Sequence, residues 1–140
     1  MGWIYKITNN KNNKVYIGQT RRKLEQRWKE HIRDAHCGKQ DKFHNAMREI
    51  GIENFQMEPI SYYEDNSWLN WGESYSIGSE DSYHNGYNSN GGPCGDLREF
   101  VLDHEVWNKA IMILVLSKEM NEDELMRITE MLKRGATKAP

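Results

Sequence analysis

Two segments near the start of the chain alternate apolar and polar residues, which is the period of a β-strand with one buried face. They are GWIYKIT at residues 2–8 and KVYIGQT at residues 14–20, and both are rich in β-branched and aromatic residues. The NNKNN run between them is typical of a turn. The pattern therefore predicts a β-hairpin in which Tyr5 and Tyr16 become cross-strand neighbours on one face.

Two segments with helical periodicity follow the hairpin. The first covers residues 21–36, and Thr20 is placed to cap it. The second covers residues 42–50 and ends at Gly51, a residue type that commonly terminates helices. The inward-facing apolar residues are Leu24, Trp28 and Ile32 in the first helix, and Phe43, Ala46, Met47 and Ile50 in the second.

A third strand is predicted at residues 55–63, FQMEPISYY, where Pro59 indicates an edge position or a bulge. Together the elements predict an α+β fold, a small three-stranded antiparallel sheet flanked by helices. Residues 65–78 then predict a third helix, capped by Asp65 or Asn66, that carries the acidic residue Glu73. Two glycines and the serines make this helix poor by propensity.

The rest of the chain is a polar loop followed by an amphipathic tail. Residues 79–96 are rich in glycine, and the length of this loop favours a functional role. Beyond it, a broad apolar face predicts a helix or helix pair, and Asn121 with Glu124 predicts a capping box for a further helix. We therefore expect residues 1–95 to form one domain and residues 96–140 to form an acidic, amphipathic helical extension.

Charge is distributed unevenly along the chain, whose net charge is −2. Residues 1–60 hold 12 Lys and Arg against 7 Asp and Glu, a balance of +5. Residues 61–140 hold 7 against 14, a balance of −7. The basic front half favours contact with phosphate groups, whereas the acidic second half is not expected to lie along DNA.

Several classes of protein are excluded by pattern. No apolar run approaches the roughly 18 residues of a membrane span, and the N-terminus lacks the pattern of a secretory signal. The two cysteines are expected to be buried free thiols in a reducing cytoplasm. No zinc is expected, because the following residues lack the spacing of zinc ligands: His36, Cys37, His44, His84 and Cys94.

Six motifs occur in order along residues 1–92. Gly2-Trp3-Ile4-Tyr5 is followed by Tyr16-Ile17-Gly18, and then by RRKLEQRWKEHI, in which Arg27 and His31 are four residues apart. FHNAMREIGIENF at residues 43–55 comes next, then Glu73 with Ile77, and finally Asn85-Gly86-Tyr87-Asn88 before Gly91-Gly92. This ordered set resembles the motifs of the GIY-YIG nuclease family, with one residue inserted at Trp3.

The resemblance implies catalytic roles for six residues: Tyr5, Tyr16, Arg27, His31, Glu73 and Asn88. Glu73 would anchor a single Mg²⁺ or Mn²⁺ ion, and Arg27 would clamp the scissile phosphate. One tyrosine would act as general base or orient the attacking water, which requires a positive neighbour to lower its pKa from about 10. His31 would share a proton with a tyrosine or contact the phosphate, and Asn88 would orient a catalytic group or hold a strand end.

Substrate binding is assigned by the same resemblance to Gly18 and to three basic residues, Lys14, Arg21 and Arg22. A side chain at Gly18 would crowd the phosphate. Structural alternatives stay open at this point. Glu73 can be a solvated helix carboxylate, Arg27 can pair with Glu25 or Glu30, and the two tyrosines can stack in the core.

The function implied is that of a metal-dependent DNA endonuclease that leaves a 5′ phosphate and a 3′ hydroxyl, by nicking or by cutting both strands. The alternative is a catalytically retired member that binds a protein or a nucleic acid. The expected partners are DNA and a second copy of the chain, joined as a homodimer through residues 97–140. The expected location is the cytoplasm of a bacterial or phage-infected host cell.

Overall fold

The fold is a three-stranded antiparallel sheet with helices on both faces. The computed structural model describes residues 1–105. Strand β1 (Gly2–Asn9) lies between β2 (Val15–Thr20) and β3 (Phe55–Tyr63), so β2 and β3 are the edge strands. The predicted α+β class and the flanked antiparallel sheet are confirmed.

Within residues 1–105, three helices with both ends described accompany the sheet: α1 (Leu24–His36), α2 (Lys42–Ile50) and α3 (Asn66–Glu80). Residues 98–105 are also helical. A single 3₁₀ turn (Ile52–Asn54) connects α2 to β3. Successive residues of β1 point to opposite faces, so Tyr5 and Ile7 pack with α1 and α2, whereas Ile4 packs with α3. The sheet is therefore buried on both faces, and each face has its own apolar core.

The hairpin places its two tyrosines as predicted, as cross-strand neighbours on one face. Tyr5 lies directly opposite Gly18, and Tyr16 lies opposite Ile7. Tyr5 and Tyr16 are therefore diagonal neighbours on one face rather than a directly opposed pair, and their ring centroids are 6.4 Å apart. A long aromatic side chain still bridges this diagonal, so the two phenols share one environment.

The start of α1 differs from its prediction. The helix begins at Leu24, three residues later than expected, and its N-cap residue Lys23 makes no capping hydrogen bond through its side chain. Thr20 does not cap the helix. Its Oγ1 instead accepts a hydrogen bond of 3.1 Å from the backbone N–H of Arg22, in the turn that precedes the helix.

Strand β3 confirms both readings of Pro59. It is an edge strand, so the missing N–H of proline is tolerated there. The register also shifts along the strand, because Ile4 pairs with Ser61 while the next residue, Tyr5, pairs with Pro59. This bulge leaves one extra residue, Ile60, on β3.

Helix α3 forms in spite of its low propensity, and tertiary contacts explain its small residues. The Asp65 side chain caps the helix by accepting hydrogen bonds from Ser67 N (2.7 Å) and Trp68 N (3.3 Å). A Cβ at Gly72 would lie 2.5 Å from the ring of Tyr63 on β3, so a larger residue would push the helix off the sheet. Close packing therefore outweighs intrinsic preference in α3.

The later part of α3 has a second reason for small residues, which is the loop that packs against it. The Oγ of Ser74 accepts a hydrogen bond of 2.9 Å from Cys94 N, and a Cβ at Gly78 would lie 3.1 Å from the backbone of Leu97 and Arg98. The helix thus ends two residues later than predicted, at Glu80, and is held along much of its length.

The predicted elements beyond residue 105 lie outside the described residues, as does most of the segment expected to form a homodimer. The chain divides into Met1–Arg98 and Glu99–Pro140, and the site described below lies within the first unit. The predicted boundary at residue 95 stays a prediction. Cys37 and Cys94 are both exposed, so their predicted burial is wrong. No helix in the described part of the chain has the length and apolar character needed to cross a membrane.

Candidate active site

A polar cleft of about 220 Å³ opens beside the edge strand β2. The cleft is lined by residues from both sides of the sheet, because β2 is an edge strand and its outer edge lies between the two layers of helices. Five of the six predicted catalytic residues line it: Tyr16, Arg27, His31, Glu73 and Asn88. The sixth, Tyr5, lies directly behind them and is fully buried.

Arg27 projects from α1 between the tyrosines and an acidic neighbour. Its Nε donates a hydrogen bond of 3.3 Å to the Tyr5 hydroxyl oxygen, and its Nη1 lies 2.9 Å from Oε2 of Glu30. The ion pair proposed as a structural alternative therefore exists, but it does not occupy the whole side chain. Glu30 and Tyr5 fix the guanidinium at the cleft, where it can still offer N–H groups to an anion.

The two phenols are neutral in this environment. Burial raises the pKa of Tyr16 to about 12, although Arg27 acts in the opposite direction. Burial and the neighbouring Tyr16 raise the pKa of Tyr5 further, against the lowering influence of Arg27. A tyrosine that acts as general base requires a positive neighbour to lower its pKa from about 10. Arg27 is that neighbour, but burial outweighs it here.

His31 lies at the centre of a buried hydrogen-bonded row. Its Nε2 is 2.7 Å from the Tyr5 hydroxyl, and its Nδ1 is 3.2 Å from Nε2 of His44. The Nδ1 of His44 is in turn 2.7 Å from a carboxylate oxygen of Asp41. Burial lowers the pKa of His31 to about 3, and the positive charge of Arg27 adds to this, so its imidazole is neutral.

Sequence reasoning missed His44 and Asp41 as parts of the site. The sequence spacing excludes His44 as a zinc ligand, and the neighbouring residues in α2 form an apolar stripe that does not indicate a polar role. A signal was nevertheless present, because Asp41 stands immediately before α2 and His44 follows it three residues later. An aspartate at the N-cap accepts from the backbone N–H of the third helical residue, and here that bond to His44 N is 2.8 Å long.

Glu73 reaches the cleft from α3, on the opposite side of the sheet from Arg27 and His31. Its Oε2 accepts a hydrogen bond of 2.5 Å from Nε2 of Gln19, which also donates to Asn70 at 2.9 Å. Burial raises the pKa of the Glu73 carboxyl, and the hydrogen bond from Gln19 only partly offsets this. In the described part of the chain no Lys or Arg pairs with this carboxylate.

Asn88 holds the edge of β2. Its Oδ1 accepts a hydrogen bond of 2.9 Å from Ile17 N, and its Nδ2 donates one of 2.9 Å to Ile17 O. The neighbouring Tyr87 N–H donates to Val15 O at 2.9 Å, so the loop pairs with β2 as a further strand would. Asn88 was expected either to orient a catalytic group or to hold a strand end, and these hydrogen bonds correspond to the second role.

The predicted substrate-binding residues are distributed around the cleft rather than inside it. Arg22 forms an ion pair with Glu30, with Nη1 and Oε1 2.5 Å apart, so it helps to fix the acid that holds Arg27. Lys14 and Arg21 are exposed and do not line the cleft. Lys39, which the sequence analysis did not select, is a further basic residue of the lining.

Gly18 has a structural reason within the fold, and its predicted role beside a phosphate stays a prediction. A Cβ at this position would meet the hydroxyl oxygen of Tyr5 and lie 2.5 Å from its Cζ atom. The glycine therefore makes room for the ring of Tyr5. Gly2 has a similar structural reason, since its Cβ would lie 2.6 Å from a methyl group of Leu69 on α3.

Fold and site together define a small α+β domain with a polar, arginine-containing cleft at a sheet edge. The model of the GIY-YIG catalytic domain matches residues 1–88, which is more than half of the chain, and the chain therefore belongs to the GIY-YIG nuclease family. The resemblance inferred from the six motifs is thereby confirmed.

Two solved structures are similar in fold. The catalytic domain of the homing endonuclease I-TevI has a TM-score of 0.57 and 28% identity, covering 63% of this chain and 97% of that one. A mutant of the same domain, described as that of an intron endonuclease, has a TM-score of 0.53 and 32% identity, covering 64% of this chain and 94% of that one.

Two relatives from Invertebrate iridescent virus 6 share sequence with part of the chain. An uncharacterized protein, 019R, is 41% identical over 69 residues, or 49% of this chain and 25% of its own length. A putative MSV199 domain-containing protein, 146R, is 40% identical over 63 residues, or 45% of this chain and 26% of its own length. The chain thus spans only about a quarter of each viral relative.

Proposed function

We propose that this chain is a DNA endonuclease that hydrolyses phosphodiester bonds with one divalent ion, Mg²⁺ or Mn²⁺, and a water molecule assisted by a tyrosine. The observation that carries the proposal is the convergence of Arg27, Glu73 and Tyr16 on one cleft of about 220 Å³. Phosphoryl chemistry requires a cation for the phosphate oxygens, a carboxylate for a metal ion and an oriented water, and these three side chains can supply them.

The donor chemistry of Glu73 fits a hard divalent cation. Its carboxylate is largely buried, its pKa is raised by that burial, and its hydrogen bond comes from the neutral amide of Gln19. A carboxylate in this state gains from a cation that neutralises it. In residues 1–105 no three His, Cys, Asp or Glu side chains cluster closely enough to hold a metal by themselves, so substrate oxygens and water would complete the coordination. When bound, the ion supplies Lewis-acid stabilisation of the charge that develops on the phosphate and the leaving oxygen.

Arg27 is the residue that we assign to the scissile phosphate. Its planar guanidinium stays charged at every relevant pH, and Tyr5 and Glu30 hold it from behind. Holding the side chain in place before the substrate arrives reduces the ordering that binding would otherwise require. DNA is the proposed substrate, in agreement with the excess of Lys and Arg in residues 1–60.

The proposed reaction uses the tyrosines to receive or orient the hydrogen of the attacking water. Tyr16 lines the cleft and Tyr5 lies behind it, with Arg27 contacting both phenols. A water molecule held between Tyr16 and the phosphate would be oriented for attack by donating a hydrogen bond to the phenol oxygen. A phenol could receive the proton of this water only as a phenolate, after its own proton had been lost to solvent.

A plasmid assay tests the proposal. The full chain is incubated with supercoiled plasmid in Mg²⁺, in Mn²⁺ and in EDTA, and the ends of the products are analysed. Conversion to nicked or linear DNA with either ion, with 5′ phosphate and 3′ hydroxyl ends and no conversion in EDTA, supports the proposal. A folded chain that binds DNA and cleaves none under any of these conditions contradicts it and favours the retired-module alternative.

A further inference from the structure

The hydrogen-bonded row that ends at Asp41 has only one consistent direction when both histidines are neutral. The Asp41 carboxylate accepts hydrogen bonds, so the hydrogen of His44 must be on Nδ1, which lies 2.7 Å away. The Nε2 of a neutral His44 is then an acceptor, and His31 must donate from its Nδ1. The Nε2 of His31 is left without a hydrogen and can accept the one carried by the Tyr5 hydroxyl.

The direction of this row decides how the Tyr5 oxygen is presented to the site. With its hydrogen turned to His31, the phenol oxygen offers lone pairs to Arg27, whose Nε–H donates to it at 3.3 Å. In the opposite direction, His31 would donate from Nε2, and the Tyr5 hydrogen would turn away from His31 and compete with Arg27 for the same space. Only when Tyr5 donates to Nε2 of His31 does its oxygen present a lone pair to Arg27 while its hydrogen also has an acceptor.

We propose that His44 and Asp41 are positioning residues of the nuclease site, which fix the tautomer of His31 and thereby the orientation of the Tyr5 hydroxyl. The inference rests on the proposed function but concerns residues to which that function assigns no role. Both lie on or beside α2, and the row they form is sheltered because His31 and His44 are buried. Asp41 is more exposed and keeps its negative charge, since its hydrogen bonds with His44 outweigh the effect of its partial burial and lower its pKa.

The first test reads the tautomer directly and does not depend on cleavage. Long-range ¹H–¹⁵N spectra of the full chain, labelled at histidine and recorded at pH 8 where an ordinary histidine is neutral, locate the hydrogen of each ring. The inference expects His31 and His44 both to carry their hydrogen on Nδ1. A hydrogen on Nε2 of His31 would overturn it, whether or not the chain cleaves DNA.

The second test uses two substitutions at the same position. His44→Phe keeps a planar ring but cannot accept from Nδ1 of His31, so His31 should change tautomer and kcat should fall about 10- to 100-fold, with little change in KM. His44→Gln retains an oxygen acceptor and should restore the tautomer and most of the rate. His36→Gln, on the exposed end of α1, is the matched control and should change neither.

The outcomes separate this inference from the proposed function. If wild type and all variants fail to cleave, the proposed function fails, and the tautomer of His31 still decides whether the row has the stated direction. If wild type cleaves and His44→Phe retains both the Nδ1–H tautomer and the full rate, the positioning role is refuted. Should His44→Phe not fold, the wild-type tautomer and the rate of His44→Gln remain decisive.

Discussion

Gly18 lies directly opposite Tyr5 in the β1–β2 ladder, and a Cβ at Gly18 would lie 2.5 Å from Cζ of the Tyr5 ring. The absent side chain is therefore the space that Tyr5 occupies. Tyr5 uses that space to reach His31 and Arg27, with which its hydroxyl makes hydrogen bonds of 2.7 and 3.3 Å. A glycine on one strand thus places a phenol of the neighbouring strand within the site.

Gly18→Ala is accordingly expected to displace the Tyr5 ring. Insertion of a methyl group into a packed site costs about 1–3 kcal/mol, and we expect a loss of this size in the free energy of unfolding, measured by denaturant titration. The cleavage rate should fall together with the stability, because the hydroxyl moves away from His31. Wild-type stability and a wild-type rate in this variant would show that the ring does not depend on the glycine.

Asn88→Ala is expected to destabilise the edge of β2. The substitution leaves the buried N–H and C=O of Ile17 without their partners, at a cost of about 1–3 kcal/mol for each orphaned group. Ser89→Ala, at the next and exposed position, is the control and should change the stability by no more than about 0.5 kcal/mol. Equal stabilities for the two variants would remove the structural role of Asn88.

Glu73→Gln is expected to raise stability at neutral pH while it removes activity. Burial raises the folded-state pKa of this carboxyl, so its ionisation opposes folding. The unfavourable contribution grows as the pH rises through the unfolded-state and then the folded-state pKa, and it is absent below about pH 4. The free energy of unfolding, measured by denaturant titration, should therefore be higher for the variant than for wild type at pH 7 and similar for the two at pH 3. The same difference at both pH values would contradict this account.

Arg27→Lys tests whether the guanidinium is required as well as its charge. Lysine keeps the positive charge but cannot donate to Tyr5, Glu30 and a phosphate with one planar group. We expect kcat to fall about 100-fold or more, the range seen when one preorganised donor to an anionic transition state is removed. Arg33→Lys, at an exposed position of the same helix, should retain the wild-type rate. Full activity in Arg27→Lys would show that the guanidinium is not required.

The strands and the first two helices could be predicted because their sequence periodicity matches their burial. Alternation in GWIYKIT corresponds to two faces that are both covered, and Gly51, with a φ of 103°, ends α2 as its sequence indicates. The predicted start of α1 is three residues too early, because Thr20 makes a local turn that competes with helix capping. Local sequence signals thus predict the presence and type of a strand or helix better than the residues at which it begins and ends.

Helix α3 and the row behind His31 could not be predicted for a different reason, since both depend on contacts between distant residues. Gly72 is required by the ring of Tyr63, and propensity alone counts it only as a weakness. His44 faces His31, 13 residues earlier on another helix, and no pattern within α2 indicates this contact. The motifs therefore predict the site residues that belong to them. The residues that support those side chains, such as His44, are identified only by their packing in the folded chain.

The most direct test of the central claim compares two glutamates of α3 in the cleavage of supercoiled plasmid with Mg²⁺. Glu73 lies at the cleft, whereas Glu80 is exposed at the end of the helix, where it pairs with Lys6. The account predicts that wild type and Glu80→Gln nick the plasmid at similar rates, and that Glu73→Gln is at least about 100-fold slower although it is folded. Nicking by Glu73→Gln at the wild-type rate, or a folded wild type that nicks nothing, would contradict the account.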